Sequence, residues 1–181
     1  MMNENGRISR SHGLPQEFLY QQAARLSVPI KLVPASWSSY QQYFTRILLE
    51  AKDEYDLQDM IFGDIDLQAH RDWEEMVCAD AGLNALLPLW QLNRLETIHH
   101  ILGAGIRATI VSCNEVMGPD FLGKEISHAL IDELILLGID ACGENGEYHT
   151  AVTDCPMFSS PAVLPPSEKV KHENYWFLNW I

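Results

Sequence analysis

The sequence predicts an α/β protein built around a parallel sheet. Short apolar runs alternate with segments of helical periodicity along most of the chain. Glycine or proline closes nearly every such segment, and the last twenty residues break the alternation. The 181 residues, 47% of them apolar, suit one main domain with a small appendage.

Each element has its own signal. Residues 1–13 are polar and read as a frayed or extended lead-in. From Pro15 the spacing turns helical, with Leu19, Ala23 and Leu26 on one face, until Pro29 stops it. Ile30–Val33 reads as a short strand. Tyr40, Tyr43, Phe44, Ile47, Leu48 and Ala51 mark the strongest amphipathic helix. Met60-Ile61-Phe62 is a buried-strand candidate running into Gly63. The next helix buries Trp73, Met76 and Val77 and ends at Gly82. Ala85-Leu86-Leu87 is a strand ended by Pro88; a helix over about Arg94–Leu102 precedes the β-branched strand Ile106–Val111. Ile126, Leu130, Leu134 and Leu137 define one more helix face, closed near Gly138. Tyr148–Thr153 reads as a strand, and the apolar tail Tyr175–Ile181 must pack on the body or on a partner.

Charge narrows the function. The formal net charge of -13 repels nucleic-acid phosphates and anionic lipid, so neither is an expected partner. No stretch approaches the roughly 20 apolar residues a bilayer span requires. Cys78, Cys113, Cys142 and Cys155 form no CxxC pair, and the chain opens without an apolar signal, so reduced cysteines in a cytoplasmic protein are expected. Cys78 and Cys113 read as core; Cys142, beside a polar loop, is the one candidate for reactivity. His99, His100, His128 and His149 have no ligand-type spacing and read as surface or core residues, with no metal site among them.

Three strand-to-loop junctions carry the chemistry, since open α/β sheets bind ligands beyond the carboxyl ends of their strands. At the first, Gly63 lets a ligand approach the backbone, Asp64 and Asp66 suit Mg²⁺ or a ribose, and Arg71 suits a phosphate. The bland reading has Asp66 capping a helix and Arg71 paired with a neighbouring carboxylate. At the second, Trp90 lines a pocket or, more simply, fills core. The third is the loop Gly143-Glu144-Asn145-Gly146-Glu147-Tyr148-His149-Thr150. Asn-Gly alone would suit a hairpin turn, but a plain turn does not require two glutamates, a tyrosine and a histidine around it.

These segments, GDIDLQAHRDWEEMVC, LLPLW, LGKE (Leu122–Glu125) and GIDACGENGEYHT, resemble the diphthine–ammonia ligase family in order and approximate spacing over roughly Arg10–Pro161. Their spelling is similar to that of bacterial members. The resemblance implies a HUP-like (adenine nucleotide α-hydrolase-like) parallel sandwich with a small substrate-binding region toward the carboxyl end. Its boundaries would be a nucleotide-binding part over residues 1–112, a family region over 113–164 and an apolar tail over 165–181. It implies an ATP-dependent C–N ligase that adenylates a carboxylate and lets ammonia displace AMP, with Mg²⁺ accompanying ATP. Gly63, Asp64, Asp66 and Arg71 would serve the nucleotide. Glu144 and Glu147 would be catalytic, and Trp90, Gly143, Asn145, Gly146, Tyr148, His149 and Thr150 would bind the carboxylate acceptor.

One departure separates this sequence from the pattern. The family opens on a strand and an SGGKDS-type phosphate loop, and Ser9-Arg10-Ser11-His12-Gly13 lacks the glycine pair such a loop needs. The expectation is an incomplete or inactive member, completed by a missing amino-terminal segment or a homo-oligomer. Alternatives are a non-catalytic binding or regulatory protein, and one half of a split enzyme. The final twenty residues show no resemblance to the family, and the tail is expected to cover an open sheet edge.

Overall fold

The computed structural model describes residues 1–181. Five α-helices and six strands follow in the order α1 Gln16–Leu26, α2 Tyr40–Tyr55, β1 Asp59–Ile61, α3 Gln68–Ala81, β2 Asn84–Leu86, α4 Arg94–Gly103, β3 Arg107–Asn114, α5 His128–Leu136, β4 Tyr148–Asp154, β5 Ser167–His172 and β6 Tyr175–Trp180. The protein is mixed α/β, and the predicted parallel sheet is reduced to one pair. β1 and β2 run parallel, whereas β3 to β6 form an antiparallel sheet in the order β4-β3-β6-β5. The β-branched run of β3 suits either type of pairing, so its composition alone could not decide the direction of its neighbours.

Local chemistry explains the elements. α1 ends at Ser27 and α2 at Asp56, both left-handed, and α3 ends at Gly82 with φ 65°. Asn93 and Ser127 cap α4 and α5 by accepting from the amides of Glu96 and Leu130. The antiparallel sheet is packed on both faces. Ile110, Cys113 and Tyr148 meet Leu130, Ile131 and Leu134 of α5 on one side. Val111 and Ala151 meet Leu14 and Phe18 on the other. A separate cluster seats α2 and α3 on the β1–β2 pair through Leu48, Val77, Cys78, Ala81 and Leu83.

Several sequence expectations are corrected. The lead-in is folded: Met2 is buried and bonds Val33, and Met2, Ile8 and Ser9 form isolated bridges. Ile30–Val33 is not a strand: Val33 accepts one hydrogen bond from the Met2 amide, and the neighbouring bridge to Met2 is made by Pro34, outside the segment. Met76 and Leu137 are exposed, since the faces of α3 and α5 are narrower than the periodicity implied. The tail becomes β6, which lies between β3 and β5, and Trp180 donates its indole N–H to the Gly13 carbonyl at 2.6 Å. It joins the antiparallel sheet, not the parallel pair. No helix is long and apolar enough to cross a membrane.

Candidate functional site

A cleft of about 940 Å³ opens where the end of β1 faces the loop before β4. Gly63, Asp64 and His70 line one side, and the segments Cys142–Gly146 and Tyr148–Thr150 line the other. The first and third polar junctions of the sequence thus meet at one site. The second does not: Trp90 lies beneath the Arg71 guanidinium, 4.9 Å from the ring centroid, and outside the cleft lining. Arg71 also pairs with Glu75 at 2.6 Å, as the bland reading had it. The Leu122–Glu125 segment bridges to β3, away from the cleft.

The loop is a braced structure. Gly143 and Gly146 adopt φ 70° and 82°, which only glycine takes without strain. Asp140 accepts from the Glu144 amide at 2.9 Å. Glu147 turns inward, accepting from the amides of Asp140 and Asn145 and from the Asn145 side chain at 3.1–3.3 Å. Its carboxylate therefore holds the loop closed, whereas Glu144 lines the cleft. Tyr148 is buried, donates its hydroxyl to Ala141 O at 2.5 Å, and has its pKa raised by that burial. The backbone of β3 and the carboxyl-terminal strand hold the loop from behind. Asn114 donates to Glu147 O at 2.8 Å, and the Tyr175 hydroxyl donates to Gly146 O at 2.9 Å.

Sequence reasoning missed the residue that joins the two sides. Arg94, first in α4, reaches Asp66 through Nε at 2.8 Å and Nη2 at 2.5 Å. Its Nη1 reaches Asp140 at 2.9 Å and Asn145 at 3.2 Å. Asp66 thus neither caps a helix nor is free for a cation, and the Arg94 hydrogen bonds hold its carboxyl below the usual range. A signal was present: a cation at the positive end of a helix dipole is unfavourable unless carboxylates surround it.

The electrostatics of the cleft favour cations. Burial raises the Glu144 carboxyl, and the nearby negative charge of Asp64 raises it further. The Asp64 carboxylate accepts from His70 Nδ1 at 2.6 Å. His12 packs against His149 at 4.7 Å between centroids, and burial lowers both imidazoles, His12 to about 4, so both are neutral at pH 7. Cys142 does not have the character of a reactive thiol. Burial raises it to about 11, and it donates to the Arg94 carbonyl at 3.0 Å.

Relatives fit this geometry. A family model described as diphthamide synthase C-terminal domain matches residues 93–180. That span contains the Arg94 junction, the braced loop and β6, so the tail, set apart in the sequence reading, lies within the family's domain. The diphthine–ammonia ligase of Mus musculus is 31% identical over 131 residues, covering 70% of this chain and 49% of that protein. The Schizosaccharomyces pombe protein of that name is 32% identical over 124 residues, 66% of this chain and 20% of its own length. The Danio rerio protein is 25% identical over 175 residues, 92% of this chain and 67% of its own. The chain thus spans about half the length of the mouse relative it matches. On these similarities, with the GDID and GENGEYHT segments facing each other across one cleft, the chain belongs to the diphthine–ammonia ligase family.

Proposed function

We propose that the chain acts in ATP-dependent amide formation and that its cleft is the acceptor side of the reaction. The observation that carries this reading is the meeting of Asp64 and Glu144 in one cleft. In such a ligase an oxygen of the acceptor carboxylate attacks the α-phosphorus of ATP and pyrophosphate leaves. Ammonia then attacks the acyl carbon, AMP leaves, and the nitrogen sheds a proton. We assign that proton to Glu144, which lines the cleft and whose carboxyl is made a better proton acceptor by burial and by the charge of Asp64. Glu147, Gly143, Asn145 and Gly146 set the loop's shape, and His149 and Thr150 line the acceptor path.

The division of labour follows the chain. Residues 1–112 would carry the nucleotide side on a HUP-like half represented by β1 and β2, residues 113–164 the acceptor side, and 165–181 its brace. Gly63 suits close approach of a ligand, since nothing lies within 4 Å of where a Cβ would project. A magnesium ion arriving on phosphate needs only one or two protein carboxylates, and Asp64 meets that need while Asp66 is occupied by Arg94. Diphthine, named for the relatives, is the first acceptor to test. The assay is AMP and pyrophosphate release with ATP, Mg²⁺, ammonium and a diphthine-bearing acceptor. Glu144→Gln should abolish amide formation and leave ATP affinity unchanged; a parallel fall in ATP affinity would overturn the assignment.

A second reading has an observation of its own. Arg94 is committed to Asp66, Asp140 and Asn145, and Arg71 to Glu75 and Trp90, so neither guanidinium is free for phosphate. A non-catalytic binding protein would keep the acceptor cleft and release neither AMP nor pyrophosphate with any acceptor.

A further inference from the structure

Beside the cleft lies a second chamber of about 590 Å³ that the amide-forming reading leaves unused. Its walls include three aromatic rings. Tyr40 stands with its centroid 5.8 Å from those of both Trp37 and Trp73. Glu74, from the first turns of α3, lines the same chamber and is only 4% exposed. Its Oε2 is buried without any hydrogen-bond donor. A buried acceptor left unpaired is costly and calls for a partner.

No basic side chain of the protein supplies that partner. Arg10, the cation nearest these rings, lies 4.5 Å from the Trp37 centroid and donates to the Ala35 carbonyl. No arginine, lysine or histidine forms an ion pair with Glu74. His70, which also lines the chamber, spends Nδ1 on Asp64. Burial, reinforced by a hydrogen bond and negative charge from Asp64, raises the Glu74 carboxyl to about 8. At pH 7 that carboxyl is largely protonated, and above about pH 8 a buried carboxylate with one unpaired oxygen stands among aromatic rings beside the cleft.

We propose that Trp37, Tyr40, Trp73 and Glu74 form a binding site for an aliphatic primary ammonium group. The ring faces attract the positive charge, and an N–H of the ammonium donates to Glu74 Oε2. The orphaned oxygen sets the class of ligand. A quaternary ammonium would gain from the rings but has no N–H to donate, so it leaves the oxygen unpaired. A neutral alcohol would donate a hydrogen bond and gain nothing from the charge. Ser11, Tyr40 and His70 line both chambers, so an ammonium held here sits next to a chain extending into the cleft.

The test is calorimetric titration of the full chain with n-butylammonium at about pH 9, with tetramethylammonium and n-butanol as comparison probes. Saturable one-to-one binding of n-butylammonium is expected, with both comparison probes roughly tenfold weaker or more, the scale of one charge-assisted hydrogen bond. Glu74→Gln, a near-isosteric change, should weaken n-butylammonium by a similar factor with the fold retained by circular dichroism. Trp37 is 71% exposed, so Trp37→Ala should fold normally and also bind more weakly. Glu144→Gln should leave n-butylammonium affinity unchanged, which separates this site from the proposed catalytic group. Equal binding by wild type and the Glu74 and Trp37 variants, or tetramethylammonium binding as tightly as n-butylammonium, would overturn the proposal.

Discussion

The braced loop makes a prediction that separates backbone strain from packing. Gly143 and Gly146 both have positive φ, 70° and 82°, so an alanine at either position bears the left-handed penalty of about 1–2 kcal/mol. Their surroundings differ. A Cβ on Gly143 would lie 3.0 Å from both the Tyr148 ring and the Tyr148 carbonyl oxygen, whereas one on Gly146 would find only the Tyr175 hydroxyl at 3.7 Å. Tyr148 cannot easily retreat, because it is buried and its hydroxyl is tied to Ala141. Overpacking of this kind costs about 1–3 kcal/mol. Gly143→Ala should therefore destabilise the protein by roughly 2–5 kcal/mol and Gly146→Ala by only about 1–2 kcal/mol. Urea unfolding measures both, with matching m-values required for the comparison. A Tyr148→Leu background should narrow the gap by removing the ring clash but not close it, since the carbonyl remains. Equal destabilisation of the two alanine variants would refute the packing of Tyr148 against Gly143.

Other perturbations test the junction, the buried carboxylate and the tail. Arg94→Met should release Asp66, Asp140 and Asn145 from one another and weaken acceptor binding about tenfold through lost pre-organisation; unchanged affinity by calorimetry would mean Arg94 is dispensable for the site. Glu74 has a folded-state pKa raised to about 8 from 4.5, so its folded form holds the proton more tightly. The stability it confers is full below about pH 4.5 and is lost as pH rises through about 8. Glu74→Gln should flatten that loss, gaining on wild type on the order of 2 kcal/mol between about pH 5 and 9; parallel stability profiles would contradict the burial. Deleting Tyr175–Ile181 removes the strand paired with three residues of β3 and six of β5. The protein should then lose its cooperative thermal transition, and a wild-type melting curve would show that β6 does not carry the sheet.

The parts visible in the sequence were those whose signal is local. The period of α2, the stop at Gly82 and the β-branched run of β3 depend on neighbours in the chain, and the structure places helices and strand there. Strand direction is not local. β3 receives β4 on one edge and β6 on the other, both antiparallel and both from later in the chain. β5, SEKVKH, has no apolar face and is mostly exposed, so it exists as a strand because β6 offers it an edge. The same division runs through the site. Gly63, Asp64, Glu144 and the loop glycines were legible because polar residues and glycines gathered at strand ends stand out from their surroundings. Glu74 and Tyr175 were not, because α3 periodicity hid one and the apolar tail hid the other.

Arg94 shows why the connection between the halves was harder to read than the halves themselves. In the sequence it is one more residue at a helix start, following an Asn cap. Its role emerges only when Asp66, 28 residues earlier, and Asp140, 46 later, converge on it. A cation at the first position of α4 opposes the helix dipole, so the local rule is broken where a distant requirement prevails. The carboxylates that satisfy Arg94 also occupy it, which leaves the cleft with Asp64 and Glu144 and without a free guanidinium. The junction therefore does two things at once: it fixes the distance between the two polar segments, and it keeps the space between them negative. A ligand that enters between them has to bring positive charge of its own, whether as an ammonium group or as a metal ion travelling with phosphate.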